Sequence, residues 1–180
     1  MNVAVFGSSL PREGEPAYEV ARELGREVAR RRAAVLCGGY GGVMEAACRG
    51  AAEAGGESVG VLLAGRGEPN RWASRMLVET DLSRRLARLR DLAGAWIFLP
   101  RGLGTMLELV WISESLVKGL VAPRPVVLLG DFWRPTLEKA LAEASSSEGA
   151  KTLRQCIREA DSPAEAVGAA LRGVPAASAP

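Results

Sequence analysis

Short apolar runs alternate along the chain with longer stretches in which apolar residues recur at helical spacing. Val3-Ala4-Val5-Phe6, the runs 33–36, 58–63, 95–99 and 125–129, and a shorter one at 76–79 read as strands. The 3.6-residue periodicity predicts helices over 16–32, 43–54, 81–92, about 105–118, 133–144 and 163–171, with Asp81 as an N-cap. Most of the strands lack polar alternation. Strands of that kind are buried on both faces, which places them in a parallel sheet covered by helices. Alternation of strand and helix then predicts a single-domain α/β protein, a three-layer, doubly wound parallel sheet. The domain is expected to span 1–173. The Ala/Ser/Pro-rich residues 174–180 are expected to form a disordered tail.

A chain of 180 residues can bury a full core without disulfides or metal. The formal net charge is +2, and no dense basic run argues for nucleic acid. No stretch reaches the ~20 apolar residues of a membrane span, and no basic leader precedes the first strand, so a cytoplasmic location is expected. Cys37, Cys48 and Cys156 form no CxxC pair and read as buried free thiols in a reducing compartment. Histidine is absent, which removes imidazole base catalysis and the common zinc sites. No metal and no cofactor is expected. Any chemistry must use carboxylates, arginine, hydroxyls, thiols or backbone amides.

Candidate chemistry gathers at strand ends. Gly7-Ser8-Ser9, the cluster 38–42 and the turn 100–105 each follow an apolar run, where ligands of doubly wound sheets bind. Glycine there lets an anion approach the backbone, and the next helix offers free amides and its dipole. Gly7, Ser8, Ser9, Gly38, Gly39, Arg101, Gly102, Leu103, Gly104 and Thr105 are the candidate phosphate-binding residues. Arg85 falls among Leu82, Leu86, Leu89 and Leu92 on the apolar side of its helix. An arginine there either meets an anion or, with equal warrant, snorkels to the rim or pairs with a structural carboxylate. Thr105 and Glu108 fit the capping box T-x-x-E, and spacing alone favours that structural role for Glu108 over a carboxylate acting on a bound sugar.

Residues Cys37 to Ala47, CGGYGGVMEAA, resemble the first glycine motif of LOG-like proteins, the cytokinin riboside 5′-monophosphate phosphoribohydrolases and their bacterial relatives once labelled lysine decarboxylases. Pro100 to Glu108, PRGLGTMLE, resembles the family's PGGxGTxxE signature, and Arg85 stands fifteen residues before that proline, where the family carries its active-site arginine. The resemblance covers about residues 2–140. It implies a Rossmann-like homodimer that hydrolyses the N-glycosidic bond of an AMP-like purine nucleoside 5′-monophosphate, with Arg85 and Glu108 as the catalytic pair. Gly102, Gly104 and Thr105 would hold phosphate. The lysine decarboxylase label finds no support, since Lys118, Lys139 and Lys151 are the only lysines and none sits in a pyridoxal motif. Three positions depart from the pattern: Arg101 replaces the first glycine of PGG, Leu86 a lysine of the plant-type enzymes and Leu82 a methionine usually found there. A non-catalytic nucleotide sensor, or a binder like the molybdenum cofactor carriers, is the alternative, followed by a nucleotide-independent scaffold.

Overall fold

The computed structural model describes residues 1–142 and 147–174. Seven strands form one all-parallel sheet: β1 (Asn2–Phe6), β2 (Ala34–Cys37), β3 (Ser58–Leu63), β4 (Arg75–Glu79), β5 (Ala95–Phe98), β6 (Val126–Leu129) and β7 (Ile157–Ala160). Their order is β4-β3-β2-β1-β5-β6-β7. The chain therefore builds outward from β1 on one side and then returns to place β5 on the other, with Val3 beside both Val35 and Ala95. That reversal opens a crevice beyond the carboxyl ends of β1 and β5.

Side chains of successive strand residues point to opposite faces, and each face carries a helical layer. Val3 and Val5 face one core with α1 (Pro16–Arg30), α2 (Val43–Glu53) and α7 (Pro163–Leu171). Ala4 and Phe6 face the other with α3 (Leu82–Leu92), α4 (Leu103–Val117), α5 (Arg134–Leu141) and α6 (Glu148–Cys156). This is the expected three-layer, Rossmann-like arrangement. At the carboxyl ends of the two central strands, Phe6 stacks on Phe98 with ring centroids 5.0 Å apart. The indole N–H of Trp133 donates to the Leu99 carbonyl at 2.7 Å, fixing the exit of β5.

Several expected boundaries hold closely. Asp81 caps α3, its side chain accepting from the Arg84 amide. Two differences have physical causes. The α4 helix begins at Leu103, because Gly102 at φ 99° serves as its N-cap. Thr105 thus lies within the first turn rather than at the cap, and the anticipated capping box does not form. The pair α6 and β7 was not anticipated. As an edge strand, β7 buries only Ala160 fully, so its sequence Ile-Arg-Glu-Ala carries no apolar run. Of the sequence-predicted helix 133–144, α5 accounts for Arg134–Leu141, while its last two positions and 175–180 lie outside the described residues. The three cysteines are buried and free.

Helices α1 and α2 approach closely through glycine. A methyl group on Gly50 would lie 1.8 Å from the Arg22 carbonyl oxygen, and one on Gly25 would lie 2.0 Å from that of Ala47. Glu53 clasps the same joint from outside, bonding Arg22, Arg26 and Arg49, whose cations draw its pKa down to about 2. Gly50→Ala must push two backbones apart, so we expect a loss of about 1–3 kcal/mol in unfolding free energy, measured by chemical denaturation.

Candidate functional site

Three turns converge at the carboxyl ends of β1, β2 and β5, and they touch backbone to backbone. The Ser8 carbonyl, just beyond β1, accepts from the Val43 amide at 2.9 Å. A side chain on Gly7 would begin 2.6 Å from Val43. Gly42, at φ 66°, has its missing Cβ position 2.5 Å from the Ser8 oxygen. Gly102 has its own 3.3 Å from the Ser8 Cα and 2.9 Å from Thr105 Oγ1. Both positions need glycine for space as well as for the left-handed backbone.

Together the turns enclose a cleft of about 430 Å³ lined by Phe6, Gly7, Ser8, Ser9, Leu10, Tyr40, Met44, Arg85, Gly102, Leu103, Gly104, Thr105 and Glu108. One end is the start of α4. The first intrahelical bond there runs from the Met106 amide to the Gly102 carbonyl. The amides of Leu103, Gly104 and Thr105 precede it and have no acceptor within the helix. Thr105 is only 2% exposed, and its hydroxyl has no hydrogen-bond partner among the described residues. An unsatisfied buried hydroxyl beside free amides at a positive helix end offers the donors and the potential that suit an oxyanion.

Arg85 and Glu108 form the middle of the cleft. The guanidinium of Arg85 is inside, its side chain 11% exposed, whereas Arg84 on the same helix is 71% exposed. Nε donates to the Val61 carbonyl at 2.7 Å, and Nη2 to the Gly38 carbonyl at 3.4 Å. Nη1 lies 3.8 Å from Glu108 Oε1, an ion-pair distance without a hydrogen bond. Burial pushes the Glu108 pKa up to about 8, and the Arg85 cation opposes this only in part. Burial therefore favours the neutral carboxyl, because the charged form loses hydration that a single cation at ion-pair distance does not replace.

Not every sequence-predicted residue lines the cleft. Gly38 lies behind the site, where a Cβ would sit 2.2 Å from Arg85 Nη2, so its bareness makes room for the arginine. Gly39 packs against Gly60, and its carbonyl accepts from the Asn70 amide. Arg101 is exposed, outside the lining, and holds φ at 72°, a conformation disfavoured for a branched-out side chain. Leu86, at the family's lysine position, is 5% exposed and does not line the cleft. Four lining residues were missed: Phe6, Leu10, Tyr40 and Met44. Tyr40 had a signal, being the one large side chain inside a run of glycines. Among the described residues, no three His, Cys, Asp or Glu side chains gather as a metal site, and no helix is long and apolar enough to cross a membrane.

A glycine-lined cleft at the switch point of a parallel sheet is the hallmark of the Rossmann-like class of fold, and comparison narrows it. The chain belongs to the SLOG cluster4 family, whose model matches residues 1–167. It is 31% identical over 143 residues to the cytokinin riboside 5′-monophosphate phosphoribohydrolase of Rhodococcoides fascians, a LOG relative, covering 76% of this chain and 72% of that one. Among solved structures it resembles TM1055, a structural-genomics target, with a TM-score of 0.73, 26% identity and coverage of 93% and 96%. It also resembles the molybdenum cofactor carrier protein of Chlamydomonas reinhardtii, with a TM-score of 0.72, 25% identity and coverage of 93% and 94%.

The raised pKa of Glu108 has a stability consequence. The unfolded carboxyl releases its proton near 4.5 and the folded one near 8, so between these values the folded state binds more protons. Stability contributed by the neutral carboxyl is full below 4.5 and is lost as pH rises through 8. Relative to Glu108→Gln, the wild-type protein should therefore lose stability across that window, by on the order of a few kcal/mol. Denaturant titrations of both proteins at pH values from 5 to about 9 measure it.

Proposed function

We propose that the protein hydrolyses the N-glycosidic bond of a purine nucleoside 5′-monophosphate, an AMP-like nucleotide, to free base and ribose 5-phosphate. The observation that carries this reading is Glu108, its side chain 12% exposed and its carboxyl 3.8 Å from the Arg85 guanidinium, one helical turn from the Thr105 hydroxyl, which is unpartnered among the described residues. In this reading the phosphate sits on the amides of Leu103, Gly104 and Thr105 and on the Thr105 hydroxyl, with Gly7, Ser8 and Ser9 as the opposite wall. Three residues of helix put Glu108 about 4.5 Å further along the axis, level with a sugar. Arg101 acts from the rim as a long-range attraction. Gly38 and Gly39 serve the pocket by admitting Arg85.

Cleavage of the bond builds positive charge on the sugar and negative charge on the base. Glu108 gives its proton to the departing base nitrogen. The carboxylate so formed faces both the cationic sugar and Arg85, which stabilise it. Water then adds its hydroxyl to the sugar C1′ and returns its other proton to Glu108. The similarity to the Rhodococcoides fascians phosphoribohydrolase supports this chemistry.

A non-catalytic carrier or sensor is the second reading, favoured by the structural likeness to a molybdenum cofactor carrier and by Leu86 in place of the family's lysine. Incubation with AMP and chromatography of released adenine separate the two. We expect release, a drop of about 10²-fold or more in folded Glu108→Ala, and turnover that declines as pH rises through the Glu108 pKa. Binding of AMP with thermal stabilisation but no release would establish the carrier reading.

The same helix argues for a homodimer. Leu103, Met106, Leu107 and Val110 repeat at i, i+3, i+4, i+7 on α4, and all four are exposed. A second copy would cover this stripe, and Leu103 brings the contact to the mouth of the cleft. Light scattering should give twice the chain mass for the wild-type protein and the monomer mass for Val110→Glu.

A further inference from the structure

Tyr40 belongs to the turn between β2 and α2, and it is pinned from several sides. Its hydroxyl accepts from the Leu63 amide at 2.8 Å and donates to the Leu63 carbonyl at 3.3 Å. Its own carbonyl accepts from Asn70 Nδ2 at 3.1 Å. The ring edge meets the backbone at Gly67, whose missing Cβ position lies 3.4 Å away. Leu63, Gly67 and Asn70 all belong to the end of β3 and the segment that follows it. The Asn70 side-chain oxygen accepts from the Trp72 and Ala73 amides, so this segment is itself internally fixed.

The ring so held carries the Arg85 guanidinium, with Cζ 5.7 Å from the ring centroid. That contact is a cation–π interaction, and inside a cleft it is worth more than at the surface. It completes the set around Arg85: the Val61 and Gly38 carbonyls take Nε and Nη2, and the Tyr40 ring meets the guanidinium carbon. Among the described residues Nη1 alone has no hydrogen-bond partner, and it lies 3.8 Å from Glu108 Oε1.

We propose that Tyr40 is a positioning residue that holds the Arg85 guanidinium against Glu108 and ties the segment between β3 and β4 to that pair. The two carbonyls fix only one edge of the guanidinium. A flat group of this size can still tilt about that edge, and the tyrosine ring prevents it. The proposal deepens the site reading above, in which Arg85 and Glu108 are the reactive pair, but its test does not require that the protein turn over a nucleotide.

The charge on Arg85 is what lowers the Glu108 pKa against burial, so the titration of Glu108 reports where Arg85 sits. Arg85 from α3 is the one charged side chain besides Glu108 itself that lines the cleft among the described residues. The other polar neighbours are the hydroxyls of Ser8 and Ser9 from the first turn, Tyr40 from the second and Thr105 on the same helix. Titration of ¹³C-labelled glutamate carboxyls by NMR, with Glu108→Gln assigning the signal, measures it directly in the full chain.

Arg85→Leu sets the full rise in the Glu108 pKa. Tyr40→Leu is expected to give at least half of that rise, and Tyr40→Phe, which keeps the ring but frees it from Leu63, a smaller rise in the same direction. Tyr40→Leu added to Arg85→Leu should give no further change, since the effect runs through the arginine. Should Tyr40→Leu fail to fold by circular dichroism, Tyr40→Met takes its place in the same cycle. An unchanged Glu108 titration in the folded Tyr40 variants, or an equal shift with and without Arg85, overturns the proposal. Absence of adenine release with the titration behaving as stated would instead remove the enzyme reading and leave Tyr40 in its positioning role.

Discussion

The site depends on how closely three backbones approach one another. The Ser8 backbone lies between Gly42, whose Cβ position is 2.5 Å from the Ser8 oxygen, and Gly102, whose Cβ position is 3.3 Å from the Ser8 Cα. These contacts bring the first turns of α2 and α4 together beyond β1, and Arg85 of α3 enters the same cleft through the Val61 and Gly38 carbonyls. A methyl group at Gly42 would push its turn off the Ser8–Ser9 backbone, and one at Gly102 would press on Thr105 Oγ1 at 2.9 Å. The α4 end of the cleft is therefore made by main-chain geometry, and its middle by two side chains, Arg85 and Glu108.

The electrostatics divide along the same line. At the α4 end, the positive potential comes from peptide dipoles beside a buried hydroxyl. In the middle, one cation and one acid sit at ion-pair distance without forming a hydrogen bond. Arg85 spends its donors on the Val61 and Gly38 carbonyls, so it stays close to Glu108 without neutralising the effect of burial. A bidentate pair would have locked Glu108 as a carboxylate. The looser arrangement keeps a proton available near neutrality in a chain that has no histidine to supply one.

Much of this was legible in the sequence because the signals were local. Apolar runs without alternation announced buried parallel strands, and Val126–Leu129 and Ala95–Phe98 are buried at every position. Helical angles placed Arg85 on the inner side of α3, as found, although Leu82 at the helix start is exposed. What was not legible depended on contacts across the fold. Thr105 and Glu108 matched a capping box by spacing, but the cap fell on Gly102, because a glycine at positive φ ends the preceding turn earlier than side-chain chemistry suggests. Tyr40 joined the site through Leu63 and Asn70, partners 23 and 30 residues away. The α6–β7 pair escaped because an edge strand with one fully buried residue has no periodicity to detect.

The order of the strands also sets when the cleft can exist during synthesis. The segment from β1 to β4 can pair within itself as it leaves the ribosome, since each new strand docks beside the last. Until β5 emerges, however, one edge of β1 stays open, because its partner Ala95 lies far along the chain from Val3. During that interval the nascent half-sheet exposes Val5 and Phe6 beside unpaired peptide groups, the kind of surface that chaperones recognise. The last element to close the fold around β1 thus leads directly into the helix that brings the acid.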